Sequence, residues 1–274
     1  MPRTPEGPPP PPAVQRLRIR YAKRGRLRFS SHRDFQRALE RALRRAAVPM
    51  AYSAGFNRHP KISYAGAAST GAASEAEYIE IALTEPYDPE VLRQRLDASL
   101  PPGLDVLEVV DATSSAGALA DRLEASRWQI QLPGADPAVV RAAAATFLAA
   151  EAVEVTRMMK NGLRTYDARS AVLSLTSATA GGAHPSTDSG AGGEDRLPPP
   201  GVDDGGGPSA CAILELVVRH GQPSVRPDDV LTGLRLVADF VPPAPPMVTR
   251  LAQGPLDPQT GAVTDPLAKT GARS

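Results

Sequence analysis

Hydrophobic positions in this chain recur first at one period and then at another. From residue 16 the period is two: Leu17, Ile19 and Tyr21 alternate with Arg16, Arg18 and Arg20, and Leu27 and Phe29 alternate with Arg26 and Arg28. That spacing predicts two strands, each with an apolar face and an arginine face, joined by a tight turn in which Gly25 takes a positive φ. The period then lengthens. Phe35, Ala38, Leu39, Ala42, Leu43 and Ala46 fall at helical spacing, with Ser31 as N-cap, Asp34 three residues on, and Pro49 as the stop. Arg33, Arg37, Arg41 and Arg44 or Arg45 run along another face of that helix.

A loop and the short strand "KISYAG" follow, then a strand on Ala76, Tyr78, Ile79, Ile81 and Leu83, a helix from "DPEVLRQRL", and the strand "LDVLEVVDA". The order is ββ-α-β-β-α-β, a split β-α-β pattern with a hairpin at its first strand. A second copy follows: "LEASRWQIQL" (strand), "DPAVVRAAAATFLAA" (helix), "VEVTRMM", "TYDARSAVLSL" and "ACAILELVVR" (strands), and "RPDDVLTGLRLVADF" (helix). Asn161-Gly162 marks a hairpin turn, and Trp128 and Cys211 fall on apolar strand faces. The expected fold class is α+β, with two tandem ferredoxin-like modules over 14–112 and 122–240. Composition changes that picture in three places. Residues 1–13 are proline-rich, 177–209 carry almost no large apolar side chains, and 241–274 are rich in Pro and Gly. Such tracts bury too little apolar area to offset the entropy of ordering, so two disordered tails and one disordered insert are expected.

Cysteine occurs once, at Cys211, which excludes an internal disulfide and an iron–sulfur cluster held by this chain alone. No apolar run approaches the length of about 18 residues needed to span a bilayer. The N-terminus lacks the apolar core of a signal peptide. A soluble cytoplasmic protein with no membrane contact is expected. The net charge of +1 conceals an asymmetry: residues 14–61 carry fourteen Lys/Arg against Asp34 and Glu40 alone. A basic block within a near-neutral chain needs a local reason.

Like charges facing one another across a hairpin are destabilising unless solvent screens them or an anion joins them. Arginine holds phosphate with two donors at once, so the ligand that best fits this block is a polyanion, and RNA is the expected one. A plain solvated arginine face and an acidic protein partner are the competing readings. Aromatic residues are few (Phe 5, Trp 1, Tyr 6), which argues against readout by serial base stacking. The anion-binding set is Arg16, Arg18, Arg20, Arg26, Arg28, His32, Arg33, Arg37, Arg41, Asn57, Arg58, His59 and Lys61.

The loop "AGFNRHPKIS" is denser in chemistry than a turn requires: Asn57 and Pro60 suffice to bend the chain, yet Phe56, Arg58, His59 and Lys61 are there too. If the loops at one end of the sheet converge, His32, His59 and Lys61 form a cationic pocket, Glu77 orients it, and Phe56 packs beneath or offers a stacking face. The same histidines are the acid–base candidates for a metal-independent endoribonuclease. As metal ligands with a carboxylate they lack local spacing, so no metal or cofactor is expected. The competing reading is a turn with His59 and Lys61 simply exposed.

"RFSSHRD", "GFNRHPKIS" and "SEAEY" resemble the radical-SAM-linked family of uncharacterised bacterial proteins, over residues 14 to about 240. Arg33 and Arg58 stand where members of that family often carry an apolar residue and a proline. The resemblance implies an accessory or substrate-presenting module for RNA and supplies no characterised reaction; a chain without catalytic activity of its own is expected. Its implied partner is a radical-SAM enzyme or a ribonuclease of the E/G type. A protein–protein adaptor that does not touch RNA is the alternative from another class.

Overall fold

Leu17, Ile19 and Tyr21 do share a buried face, on β1 (Gln15–Lys23). The chain is a mixed α+β protein built on one large mixed sheet, and the computed structural model describes residues 10–115, 117–160, 162–179 and 211–268. The first half continues through α1 (His32–Arg45), β2 (Ile62–Ala65), β3 (Ala73–Leu83), α2 (Pro89–Asp97) and β4 (Leu104–Asp111). The second half is β5 (Ala125–Pro133), α3 (Pro137–Ala149), β6 (Glu154–Met159), β7 (Gly162–Asp167), β8 (Val172–Thr179), β9 (Cys211–Arg219), α4 (Pro227–Ala238) and β10 (Met247–Gly254). The sheet runs β4-β1-β3-β10-β5-β9-β8, with β2 on β3, and β6 and β7 form a separate two-stranded ribbon. Among the described residues no helix is long and apolar enough to cross a membrane.

Two expectations fail here for topological reasons. "RGRLRF" does not form a second hairpin strand. Gly25 turns the chain at φ +54, and Gly25–Phe29 close a single 3-10 turn. Both edges of β1 are already taken, by β3 on one side and β4 on the other, so no ladder remains for a hairpin partner. The tail expected to be disordered over 241–274 instead holds β10, and its residues 241–268 are described. β10 pairs antiparallel with β5 over Met247–Gly254 and parallel with β3 at Thr249↔Ala73 and Arg250↔Ser74. It therefore joins the two halves into one sheet. Its signal is weak because Pro and Gly crowd both flanks of an eight-residue strand. Of the insert 177–209, residues 177–179 end β8 and the rest lie outside the described residues, as do 1–9 and 269–274.

The helices cover one face of each half. Phe35, Leu39 and Leu43 of α1 and Leu92 and Leu96 of α2 pack on Leu17, Ile19, Ile79, Ile81 and Val106. Tyr21 and Phe35 stack with ring centroids 4.5 Å apart, a contact worth about 0.5–1.5 kcal/mol beyond the area it buries. Phe147 of α3 and Val230 and Leu234 of α4 pack likewise on Ile130, Leu214 and Leu216, with Trp128 in the same core. The opposite face of the first half is also covered: Leu119 and Leu123 of the 113–124 connection and Leu267 of the C-terminal segment lie over Ala76 and Tyr78. That cover decides the fate of the strand arginines.

Local capping follows the sequence. Ser31 Oγ accepts from the Asp34 N–H at 3.2 Å and starts α1 as expected. Asp88 starts α2, with Oδ1 accepting the N–H groups of Glu90 and Val91, both at 2.9 Å. Asp88→Ala frees two helix donors and is expected to cost about 1 kcal/mol. Thermal unfolding followed by circular dichroism should show a fall of roughly 2–4 °C, as for a chain of this size. An unchanged midpoint would mean that water satisfies those donors equally well.

Candidate nucleic-acid interface

The arginines of the basic block divide into two groups, and the division follows what lies opposite each. On β1 the alternation puts Arg16, Arg18 and Arg20 on one face, but β3 presents acids and carbonyls to them. Arg18 is buried; its Nε donates to Glu80 at 2.9 Å and its Nη2 to the Gly117 carbonyl at 3.0 Å. Arg20 is half-buried and donates to the Glu75 carbonyl at 2.9 Å. Arg24 bridges Glu75 and Asp105, and the Glu75 carboxylate raises its pKa further. Arg16 is exposed and lies 4.0 Å from Glu80. Arg18 and Arg20 thus turn donors into the fold, Arg18 onto a carboxylate and Arg20 onto a backbone carbonyl.

The helix arginines face solvent. The apolar stripe of α1 is turned into the core, which forces Arg33, Arg37, Arg41 and Arg44 outward. Among the described residues none of these four makes an ion pair within 4.0 Å, whereas Arg45 donates to the Ser99 carbonyl. Asp34, beside Arg37 and Arg33, is held below the usual carboxylate range chiefly by the Ser31 hydroxyl, with the two arginines adding to the effect. Arg26 is exposed in the 3-10 turn that leads to α1. Arg41, Arg44 and Arg45 line a shallow depression at the far end of the helix.

The 54–61 loop is a short excursion closed on itself. The Ser53 N–H donates to the His59 carbonyl at 2.8 Å and the His59 N–H to Ser53 Oγ at 3.0 Å. Phe56, Asn57, Arg58, His59 and Lys61 are all exposed, so Phe56 presents its ring rather than packing beneath. His59 and Lys61 line a cavity of about 630 Å³ with Arg16, Ser63 and Glu80. His32 is elsewhere: it opens α1, contacts Gln36 at 3.1 Å and packs edge-on against Tyr64, 4.9 Å between ring centroids. Tyr64 and Ser63 point to opposite faces of β2, so the two histidines meet different walls. The cavity's carboxylate is Glu80, in the place expected of Glu77.

Glu77 has another role. Its carboxylate is buried and pairs with Arg250 of β10, and Oε2 accepts the Ala68 N–H at 3.1 Å. Arg250 also donates to Ser74 Oγ at 3.2 Å and to the Gly66 carbonyl at 2.6 Å, and its guanidinium lies 5.3 Å from the Trp128 ring centroid. Gln253 donates to the Ala76 carbonyl at 2.8 Å. Burial lowers the pKa of the neighbouring Lys23, partly against the pull of Glu77. This polar cluster ties β10 to the first half. The three glutamates of "SEAEYIE" foreshadow partners for the β1 arginines, but nothing local points from Glu77 to a residue 173 positions away.

His220 stands beside that cluster at the end of β9; its Nδ1 faces the Leu123 carbonyl at 2.7 Å and its Nε2 meets Ser126 Oγ. Desolvation lowers its pKa, and its two ring nitrogens join the end of β9 to the start of β5. His184 lies outside the described residues. Among the described residues no group of three or more His, Cys, Asp and Glu side chains is placed to hold a metal ion.

Sheet, helix layer and arginine face together define a mixed α+β protein whose basic surface is carried by one helix and the loop beyond it. A family model described as "Uncharacterized protein conserved in bacteria (DUF2344)" matches residues 16–227, and the chain belongs to that family. None of the curated proteins compared with the chain matches it.

Proposed function

We propose that the chain is an accessory RNA-binding protein acting with an RNA-processing or RNA-modifying enzyme. The observation that carries it is the stripe of Arg33, Arg37, Arg41 and Arg44 on α1, exposed and, among the described residues, without an ion pair, whereas Arg18 and Arg24 on and beside β1 are each paired with a carboxylate. Four arginines at i, i+4 and i+3 spacing repel one another and cost helix stability; a polyphosphate strand turns that cost into binding energy. Arg26, Arg58 and Lys61 extend the same charge beyond the helix, and His59 adds ring nitrogens beside Lys61. The ligand contacts there are phosphate contacts, which position a strand without reading its sequence.

Each half has the strand order of a ferredoxin-like module, β4-β1-β3-β2 and β10-β5-β9-β8 with antiparallel neighbours, fused through β3 and β10. Such a platform leaves α1 and α2 on the outside. His32 and His59 have different surroundings, so the chemistry is assigned to a partner. The resemblance to radical-SAM-linked proteins supports a radical-SAM enzyme or a ribonuclease of the E/G type in that place.

RNA affinity of the purified protein should fall with a slope of about −3 or steeper in log K against log salt, because bound phosphates release counterions. Fluorescence anisotropy with a labelled RNA across a salt series measures it. Absence of binding at low salt, or a slope near zero, rejects the proposal.

A further inference from the structure

Every other arginine that is partly or fully buried among the described residues donates to a carboxylate, carbonyl or hydroxyl: Arg18, Arg20, Arg93, Arg122, Arg157, Arg169 and Arg250. Arg28 is the exception. Its Nε is buried without a hydrogen-bond partner, and none of its donors reaches an acceptor. Its guanidinium instead lies over the Phe29 ring, 4.8 Å from the centroid, and Phe29 is 60% exposed. A half-buried cation left without an acceptor is costly, and such a group in a folded protein calls for a missing partner. An exposed phenyl ring beside it supplies a stacking surface.

Both side chains line a cavity of about 410 Å³, within the range of small-ligand sites. Its walls include the Ser69–Ala72 turn, held by the Gly71 N–H donating to the Arg28 carbonyl at 2.8 Å, and Asp228 at the start of α4. Asp228 is exposed and lines the same cavity as Arg28, so a carboxylate acceptor and an arginine donor border one space. Cation, aromatic face and carboxylate are the three groups that hold a nucleotide: phosphate on the guanidinium, base on the ring, base amine on the acid.

We infer that the Arg28–Phe29 cavity takes one unpaired nucleotide of the RNA strand, with its base stacked on Phe29. This deepens the RNA-binding proposal and rests on it. The α1 stripe supplies charge along the backbone, and this cavity supplies the single position where a base is gripped. Asp228 favours bases with an exocyclic amine, so adenine or cytosine should bind better than uracil.

The test uses the full-length protein, a short unstructured RNA, and the same RNA with its bases removed at successive single positions. Phe29 is exposed, so Phe29→Ala should leave folding intact. It is expected to weaken the intact RNA by about 5- to 150-fold at an unchanged salt slope. Against an RNA whose gripped base is missing, wild type and Phe29→Ala should bind alike. Arg28→Met should weaken both RNAs. An unchanged affinity in Phe29→Ala, with the wild-type salt slope intact, overturns the cavity and leaves the α1 stripe standing. If wild type binds no RNA, both fall. Free adenosine monophosphate that binds as tightly as the RNA would show a mononucleotide site and overturn the assignment to a strand.

Discussion

Removing residues 241–274 is expected to unfold or aggregate the protein, although the composition of that segment is that of a dispensable tail. β10 lies between β3 and β5, so its loss opens two interior sheet edges at once. Open edges are templates for pairing with other chains. The loss also strips Arg250 from Glu77, whose side chain is only 3% exposed. Leaving one member of a buried pair uncompensated costs about 3–5 kcal/mol, a large part of a typical total stability of about 5–15 kcal/mol. Arg250→Met isolates that term: urea unfolding should show a loss of roughly that size. Adding Glu77→Leu should return part of it, because the stranded charge disappears with its partner. Truncation is read by light scattering and by urea titration. A truncated chain that stays monomeric with the wild-type midpoint would mean that β10 adds nothing to the joint.

The second large effect concerns binding. Replacing Arg33, Arg37, Arg41 and Arg44 together by Gln should flatten the salt slope for RNA by about 3 to 4 units, at roughly 0.7–0.9 per phosphate contact. Binding near physiological salt should become undetectable. Stability should move the other way or not at all. Exposed helix substitutions change stability by about 0.5 kcal/mol or less, and relieving like-charge pairs at i, i+4 gains about 0.2–0.5 kcal/mol each. Loss of binding in a protein of equal or higher melting temperature is thus the signature of a surface tuned to a ligand. A variant with the wild-type slope removes α1 from the interface. Arg18→Gln would be uninformative in its place, because Arg18 holds Glu80 and the Gly117 carbonyl inside the fold.

Much of this protein is legible along the chain where the information is local. Ser31, Asp34 and the helical spacing of Phe35, Leu39 and Leu43 determine α1, and the same spacing sets its arginines outward on the opposite side. Alternation determines β1, β3, β5 and β9, and β6 and β7 pair with Met159 opposite Gly162, Asn161 of the hairpin signal lying outside the described residues. Periodicity states which residues share a face. It does not state what covers that face. Arg16, Arg18 and Arg20 are equivalent by period, yet β3 gives Arg18 a carboxylate and the 113–124 connection covers it with the Gly117 carbonyl, while Arg16 keeps its solvent. Glu77 and Glu80 are neighbours in one strand. Three positions apart, they point to opposite faces of the sheet, and only the tertiary structure shows that β10 reaches the first and that the second opens on the His59 cavity. The place of β10 itself was decided only in three dimensions. An eight-residue strand among prolines has too few apolar side chains to declare itself, and its stability comes from two ladders and one buried ion pair contributed by residues far away in sequence.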